Sequence, residues 1–198
     1  MASIYQLKPA FQNALRPAMR GLASAGVTPN TVTVAALVGS MAVGAVIALS
    51  PADSRRWLLL PVWLFLRMAL NAIDGMMARE LNQSTKLGLV LNEAGDAVSD
   101  ACLFLPLARI NPGALWAATI FTILALLTEF CGLLGVSTGQ GRQYQGPLGK
   151  SDRAFLAGLA ALIAFVRPST IEYWPAMFWV GSILLLWTCL ARLKAALA

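Results

Sequence analysis

Between Asn71 and Asp100 the chain reads NAIDGMMARELNQSTKLGLVLNEAGDAVSD. This places Asp74, Arg79, Glu80, Lys86, Glu93, Asp96 and Asp100 in a stretch flanked on both sides by apolar sequence. Ionisable groups in such surroundings are costly to desolvate, and by default they mark function. Their spacing is helical. Asn71, Asp74, Gly75 and Ala78 share an arc of ~100°, with Arg67 one turn earlier, and Asn92, Glu93, Asp96 and Asp100 share a similar arc. Two helices would then present facing stripes of carboxylate and amide oxygens. Such oxygens suit a hard divalent cation, which usually shares its shell with phosphate oxygens. The plainer reading is a polar helix seam in which Asp and Arg neutralise each other. The number of polar residues on two consecutive helical faces weighs against it. Gly75 and Ala78 leave room for a close neighbour, whether backbone or ligand.

The same stretch resembles the CDP-alcohol phosphotransferase motif, DxxDGxxAR, eight residues, GxxxDxxxD. Here it stands as Asn71-x-x-Asp74-Gly75-x-x-Ala78-Arg79, eight residues, Gly88-x-x-x-Asn92-x-x-x-Asp96, with every spacing kept. Asparagine replaces the first and third aspartates. The surrounding pattern, RMALNAIDGMMARE and LNEAGDAVSD, resembles the YnbA-like branch of that family. The resemblance implies transfer of a phosphatidyl group from CDP-diacylglycerol to an alcohol, with release of CMP and dependence on Mg²⁺ or Mn²⁺. It implies Asp96 as the base that takes the alcohol proton and Asp74 as a ligand on the metal and nucleotide side. Gly75, Ala78 and Arg79 would pack on the cytidine and its phosphates, with Gly88 in the second half of the motif. It also implies a homodimer.

Two motif carboxylates remain where the family pattern has four, and an asparagine oxygen can coordinate but carries no full charge. Either one metal binds tightly, or Glu93 and Asp100 restore the missing charge, or the chain is a non-catalytic CDP-lipid-binding or transport protein. The alcohol acceptor stays open.

The helices that must hold these residues are written in the composition. Of 198 residues, 58% are hydrophobic and 12% charged, which is far from a soluble average. Apolar runs of roughly 18 to 25 residues predict an all-α polytopic membrane protein. Its six transmembrane helices would lie at about 30–50, 56–81, 85–109, 112–137, 153–168 and 174–193, preceded by an amphipathic interfacial helix at 3–24. Short connections make residues 1–198 a single domain. Thr28 or Asn30 would cap the first span.

The net charge of +6 fits anionic lipid headgroups, and the scattered basic residues form no stripe for nucleic acid. Histidine is absent, so carboxylates must do any acid–base work. Cys102, Cys131 and Cys189 lie in apolar segments without metal or disulfide spacing.

Basic residues set the orientation. Lys8, Arg16, Arg20, Arg79, Lys86, Arg142, Lys150, Arg153, Arg192 and Lys194 fall on one side, against Arg55, Arg56, Arg109 and Arg167 on the other. Both termini and the active site should therefore face the cytoplasm, in what we expect to be a bacterial inner membrane. The loop at 138–152 is rich in glycine, and Lys150 and Arg153 open the next helix, an electropositive place for a phosphate. The family resemblance strengthens that assignment. Arg67 and Glu129, charged residues inside apolar segments, either form a structural ion pair or line the acceptor or headgroup pocket. Trp57, Trp174 and Trp179 read as interfacial anchors.

Overall fold

The computed structural model describes residues 8–49 and 54–198. Among them run seven α-helices: α1 Lys8–Ser24, α2 Pro29–Leu49, α3 Leu59–Glu80, α4 Lys86–Phe104, α5 Ala114–Ser137, α6 Lys150–Val166 and α7 Trp174–Ala196. Short 3-10 turns at Ser54–Leu58, Leu105–Arg109 and Pro168–Tyr173 join α3, α4 and α7 to their neighbours at one end of the bundle. The expected first helix reaches back to residue 3, but its residues 3–7 lie outside the described residues, as does the turn at 50–53.

Local chemistry sets the helix starts. The Thr31 amide donates to Thr28 Oγ1 at 3.3 Å, so of the two expected caps Thr28 is the one used. Gly88 N donates to Thr85 Oγ1 at 2.9 Å and opens α4, one turn after Asn82 takes a left-handed φ of 54°. The Gly149 amide donates to Asp152 Oδ2 at 2.9 Å and opens α6 on the site side.

Among the described residues four helical stretches, Pro29–Leu49, Arg55–Glu80, Ala114–Ser137 and Pro168–Ala196, are long and apolar enough to cross a membrane. The other two expected spans are shorter or more polar. α6 has 17 residues, and α4 carries Lys86, Glu93, Asp96 and Asp100. The third expected span does not run as one helix to residue 109. Its α-helix stops at Phe104 and continues as a 3-10 turn containing Pro106. Val38, Phe65, Trp116, Phe130 and Leu190 stand exposed on the outside of the bundle.

Trp57 and Trp174 are core residues rather than interfacial anchors. They are 2% and 3% exposed and meet edge to face at 5.0 Å. The 3-10 turns fold them inward over the apolar end, where Phe104, Phe121 and Phe178 continue the stack. Trp179 is exposed, as expected of an anchor. At the other end, Leu15, Met19 and Leu22 of α1 pack against Val32, Ile73, Met76 and Met77, and Arg16 bridges to Glu80 at 3.0 Å. Helix α1 thus lies against α3 just where the polar stretch emerges.

α2 and α4 approach closely at Gly44, where an added methyl would run into the Cys102 carbonyl. A backbone group cannot swing aside. Gly44→Ala is therefore expected to lower the detergent-solubilised melting temperature by roughly 5 °C, whereas Gly21→Ala, in open space, leaves it unchanged. Thermal unfolding of both variants measures the difference.

Candidate functional site

At the end of the bundle away from Trp57 and Trp174, charges on α3, α4, α5, α6 and α7 join into one network. The helical period of α3 puts Arg67, Asn71 and Asp74 on one face, and that of α4 puts Asp96 and Asp100 on the facing one. Asn71 Nδ2 donates to Asp96 Oδ1 at 3.0 Å, and Arg67 Nη2 donates to the same oxygen and to the Asp96 carbonyl, each at 3.1 Å. The Lys150 ammonium, in the first turn of α6, pairs with Asp96 Oδ2. Asp74 is buried, and its Oδ2 accepts from Thr33 Oγ1 of α2 at 2.7 Å.

Deeper in, Asp100 is held between two guanidiniums, with Arg67 Nη1 at 2.6 Å and Arg153 Nη2 at 3.0 Å. Arg153 is wholly buried and also donates to Glu129 Oε1 at 2.9 Å and Thr128 Oγ1 at 3.0 Å. Glu129 gathers two more cations, Arg142 at 2.9 Å and Arg192 at 3.5 Å, and Arg142 also pairs with Glu93. Arg192 Nη1 donates to the Thr128 carbonyl at 2.5 Å and its Nε to the Gln145 carbonyl at 3.3 Å. The loop between α5 and α6 is thereby strapped onto α7.

The inner Nε groups of Arg67, Arg142 and Arg153 are buried without a partner, so the charged Nη contacts must outweigh that cost. Arg142 lies outside the helices. Burial lowers its pKa from the ordinary guanidinium value, Tyr144 acts to raise it and the Arg192 charge to lower it further.

The network does not follow the sequence expectations at every residue. Arg67 and Glu129 form no direct ion pair: Arg67 is taken by Asp96 and Asp100, Glu129 by the three arginines, and Arg153 links the two halves through Asp100. Glu93 and Asp100 share the expected face, yet both are turned to arginines. Among the described residues no three Asp, Glu or Cys side chains come together as a metal cluster. Lys150 and Arg153 both stand in the first turn of α6, with Lys150 at the rim and Arg153 fully inside.

Arg79 is exposed and lies back over Gly75, where a methyl would approach its Nη1 to 3.2 Å. Ala78 is half-buried one turn beyond Asp74. Gly88 admits Asn30 of α2, whose Oδ1 a methyl would meet at 2.7 Å, and Asn92 is half-buried four residues before Asp96. Sequence reasoning gave no role in the site to Thr33, Thr128, Arg142 or Arg192. Only Arg192 carried a signal, as a charge within an apolar helix. All three cysteines are free thiols, as expected.

The donors suited to a metal are oxygens alone: the carboxylates of Asp74 and Asp96 and the amide oxygens of Asn71 and Asn92. That set has the chemistry a hard divalent cation takes. Glu93, Asp100 and Glu129 are paired with arginines.

Comparison with known proteins agrees with the helical fold and with the family resemblance. The family model for CDP-alcohol phosphatidyltransferase matches residues 26–191. The inner membrane protein YnbA of Escherichia coli is 45% identical over 98% of this chain and 96% of its own length. The phosphatidylinositol phosphate synthase of Streptomyces avermitilis is 28% identical over 92% of this chain and 77% of its own length. Among solved structures, the phosphatidylinositol phosphate synthase of Mycobacterium tuberculosis with CDP-DAG bound superposes with a TM-score of 0.75 at 21% identity. It covers 91% of this chain and 92% of that one. The same protein in complex with manganese and citrate gives a TM-score of 0.76 at 21% identity, over 92% of this chain and 88% of that one.

Removing the charge of Asp100 leaves two buried guanidiniums facing a neutral amide. Asp100→Asn is expected to destabilise the protein by about 3 kcal/mol, the scale for breaking a buried pair. Thermal or denaturant unfolding in detergent gives the value, and a loss below about 1 kcal/mol would remove Asp100 from its structural role.

Proposed function

The chain belongs to the CDP-alcohol phosphatidyltransferase family and is a phosphotransferase, and from that premise we propose that it moves a phosphatidyl group from CDP-diacylglycerol to an alcohol. The alcohol oxygen bonds to the lipid-side phosphorus, the bond from that phosphorus to the CMP oxygen breaks, and the alcohol proton passes to Asp96. The observation that carries this reading is the pairing of the two retained motif halves. Asp74 on α3 and Asp96 on α4 stand on facing helices, and Asn71, one turn from Asp74, donates to Asp96 at 3.0 Å.

Asp96 Oδ1 is fixed by Arg67 and Asn71, so Oδ2, on the Lys150 side, is the oxygen free to be exchanged. An acceptor hydroxyl that takes the place of the ammonium there delivers its proton to Oδ2. The Thr33 hydroxyl holds the Asp74 carboxylate in a fixed orientation. Asp74 and Asp96, with the Asn71 and Asn92 amides, would hold one Mg²⁺ or Mn²⁺. Bound there, such an ion supplies positive charge to the pyrophosphate and to the leaving CMP. Gly75, Ala78 and Arg79 face the nucleotide in this reading, supported by Arg79 lying over Gly75. Lys150, at the rim and in the first turn of α6, meets a phosphate oxygen of the lipid donor. Arg67, Arg153 and Glu129 position the carboxylates from beneath, Asp100 is a structural anchor, and Glu93 holds Arg142.

α4 and α6 complete a six-span bundle, with α1 in the interface. Both termini and the site face the cytoplasm, supported by the excess of basic residues on that side. An inner-membrane location is supported by the name of the Escherichia coli relative. A homodimer rests on the family resemblance alone.

The test is CMP release from CDP-diacylglycerol in detergent, with an acceptor panel, with Mg²⁺ or Mn²⁺ and with chelator. Asp74→Ala and Asp96→Ala are each expected to lower turnover by about 10²-fold or more while keeping a folded, extractable protein. Turnover like that of the wild type in either variant would remove it from the site. No CMP release by the wild type with any acceptor would leave a CDP-lipid-binding protein instead.

A further inference from the structure

Resting on the metal assignment of the transferase reading, we propose that Lys150 is the counter-cation of the empty metal site, and that a divalent ion must displace it from Asp96. Both carboxylate oxygens of Asp96 are engaged. Oδ1 accepts from Arg67 and Asn71 at 3.1 and 3.0 Å, and Oδ2 is paired with the Lys150 ammonium. Arg67 is 4% exposed and also bonded to Asp100, so Oδ1 is held from the interior of the bundle. Lys150 is 29% exposed, at the start of α6, on a four-carbon stem that can turn toward the rim. Oδ2 is the oxygen that can be handed over.

An ion on this donor set needs Asp96. Asn71 and Asn92 offer oxygens without a full charge, and Asp74, whose Oδ2 accepts from Thr33 at 2.7 Å, is the other carboxylate of the set. An ammonium and a divalent cation on the same carboxylate oxygen are like charges in contact range and poorly screened by water, so each weakens the binding of the other. The acceptor hydroxyl is neutral and can share Oδ2 with the ion. In the same reading the donor phosphate meets Lys150, and an ammonium drawn to that phosphate opens Asp96 to the metal. Linkage of this kind is reciprocal, so metal and phosphate favour each other through Lys150. Arg79 differs from Lys150 in this respect. Among the described residues Asp96 pairs with Arg67 and Lys150 and not with Arg79, which is exposed and lies over Gly75.

Binding of Mn²⁺ alone, without lipid or nucleotide, tests the exchange. In detergent, Lys150→Gln is expected to bind Mn²⁺ about tenfold more tightly than the wild type, and Arg79→Gln less than about threefold more tightly, read by calorimetry or by the spin resonance of free Mn²⁺. Tightening of about twofold or less in Lys150→Gln overturns the proposal. Equal tightening in Arg79→Gln does so too, because it reduces Lys150 to one positive charge among others. A second measurement uses the wild type and needs no variant to fold. Saturating Mg²⁺ is expected to raise acylation of Lys150 by an amine reagent at least about threefold, read by peptide mass spectrometry. Lys86, exposed at the start of α4, serves as the unaffected reference. Unchanged or slower labelling of Lys150 overturns the proposal. Mn²⁺ binding by neither the wild type nor Lys150→Gln overturns it together with the metal assignment. Neither assay requires turnover, so absence of CMP release overturns the transferase reading alone.

Discussion

Charges enclosed within apolar helices have to be neutralised by one another, and that requirement organises the site end of this protein. Asp100 lies between Arg67 and Arg153, Glu129 among Arg142, Arg153 and Arg192, and Asp96 among Arg67, Asn71 and Lys150. Desolvating any one of these ions alone would cost several kcal/mol, an amount comparable with the stability of a whole domain. The network therefore ties five helices together at this end, as the aromatic stack joins helices at the opposite end. Each ion pair crosses between helices or ties the α5–α6 loop to them, so the charges fix helix positions as well as balancing one another.

The same constraint shapes the chemistry. A carboxylate that serves as a structural anchor cannot also be spent on a metal or a substrate. Asp100 and Glu93 share a helical face with Asp96, and the ion-pair partners of both are arginines. Asp74 is different. The Thr33 hydroxyl donates to its side chain, and it stands on the face that carries Asn71. The carboxylates of this helical pair thus differ in what they meet: Asp100 two guanidiniums, Glu93 one, Asp96 a guanidinium, an amide and an ammonium, and Asp74 a hydroxyl. Arg67, Asp100 and Arg153 lie buried beneath a more exposed rim that carries Lys150 and Asp96.

The asparagines fit this economy of charge. An aspartate at Asn71 would bring a second carboxylate against Asp96, where Asn71 Nδ2 now donates a hydrogen bond. The amide keeps an oxygen for coordination and adds a donor that a carboxylate lacks. Replacing a charge by a dipole at that point removes a like-charge contact while the helix spacing of the motif is unchanged.

Much of this was legible in the sequence. The apolar runs and the 3.6-residue period set the helices, the motif spacing put Asn71, Asp74, Asn92 and Asp96 on their faces, and Thr28 announced the start of α2. These features are local, and local features are what one-dimensional periodicity records. The sequence could not say that Arg67 would choose Asp96 and Asp100 over Glu129, or that Arg142 and Arg192, separated by fifty residues of chain, would meet on one carboxylate. Nor could it turn Trp57 and Trp174 inward, because an indole near a helix start suits an interface as well as a core. Which ion pairs with which depends on how helices pack and how far a loop folds back. Several pairings satisfy the same charge balance, and only the tertiary arrangement decides among them.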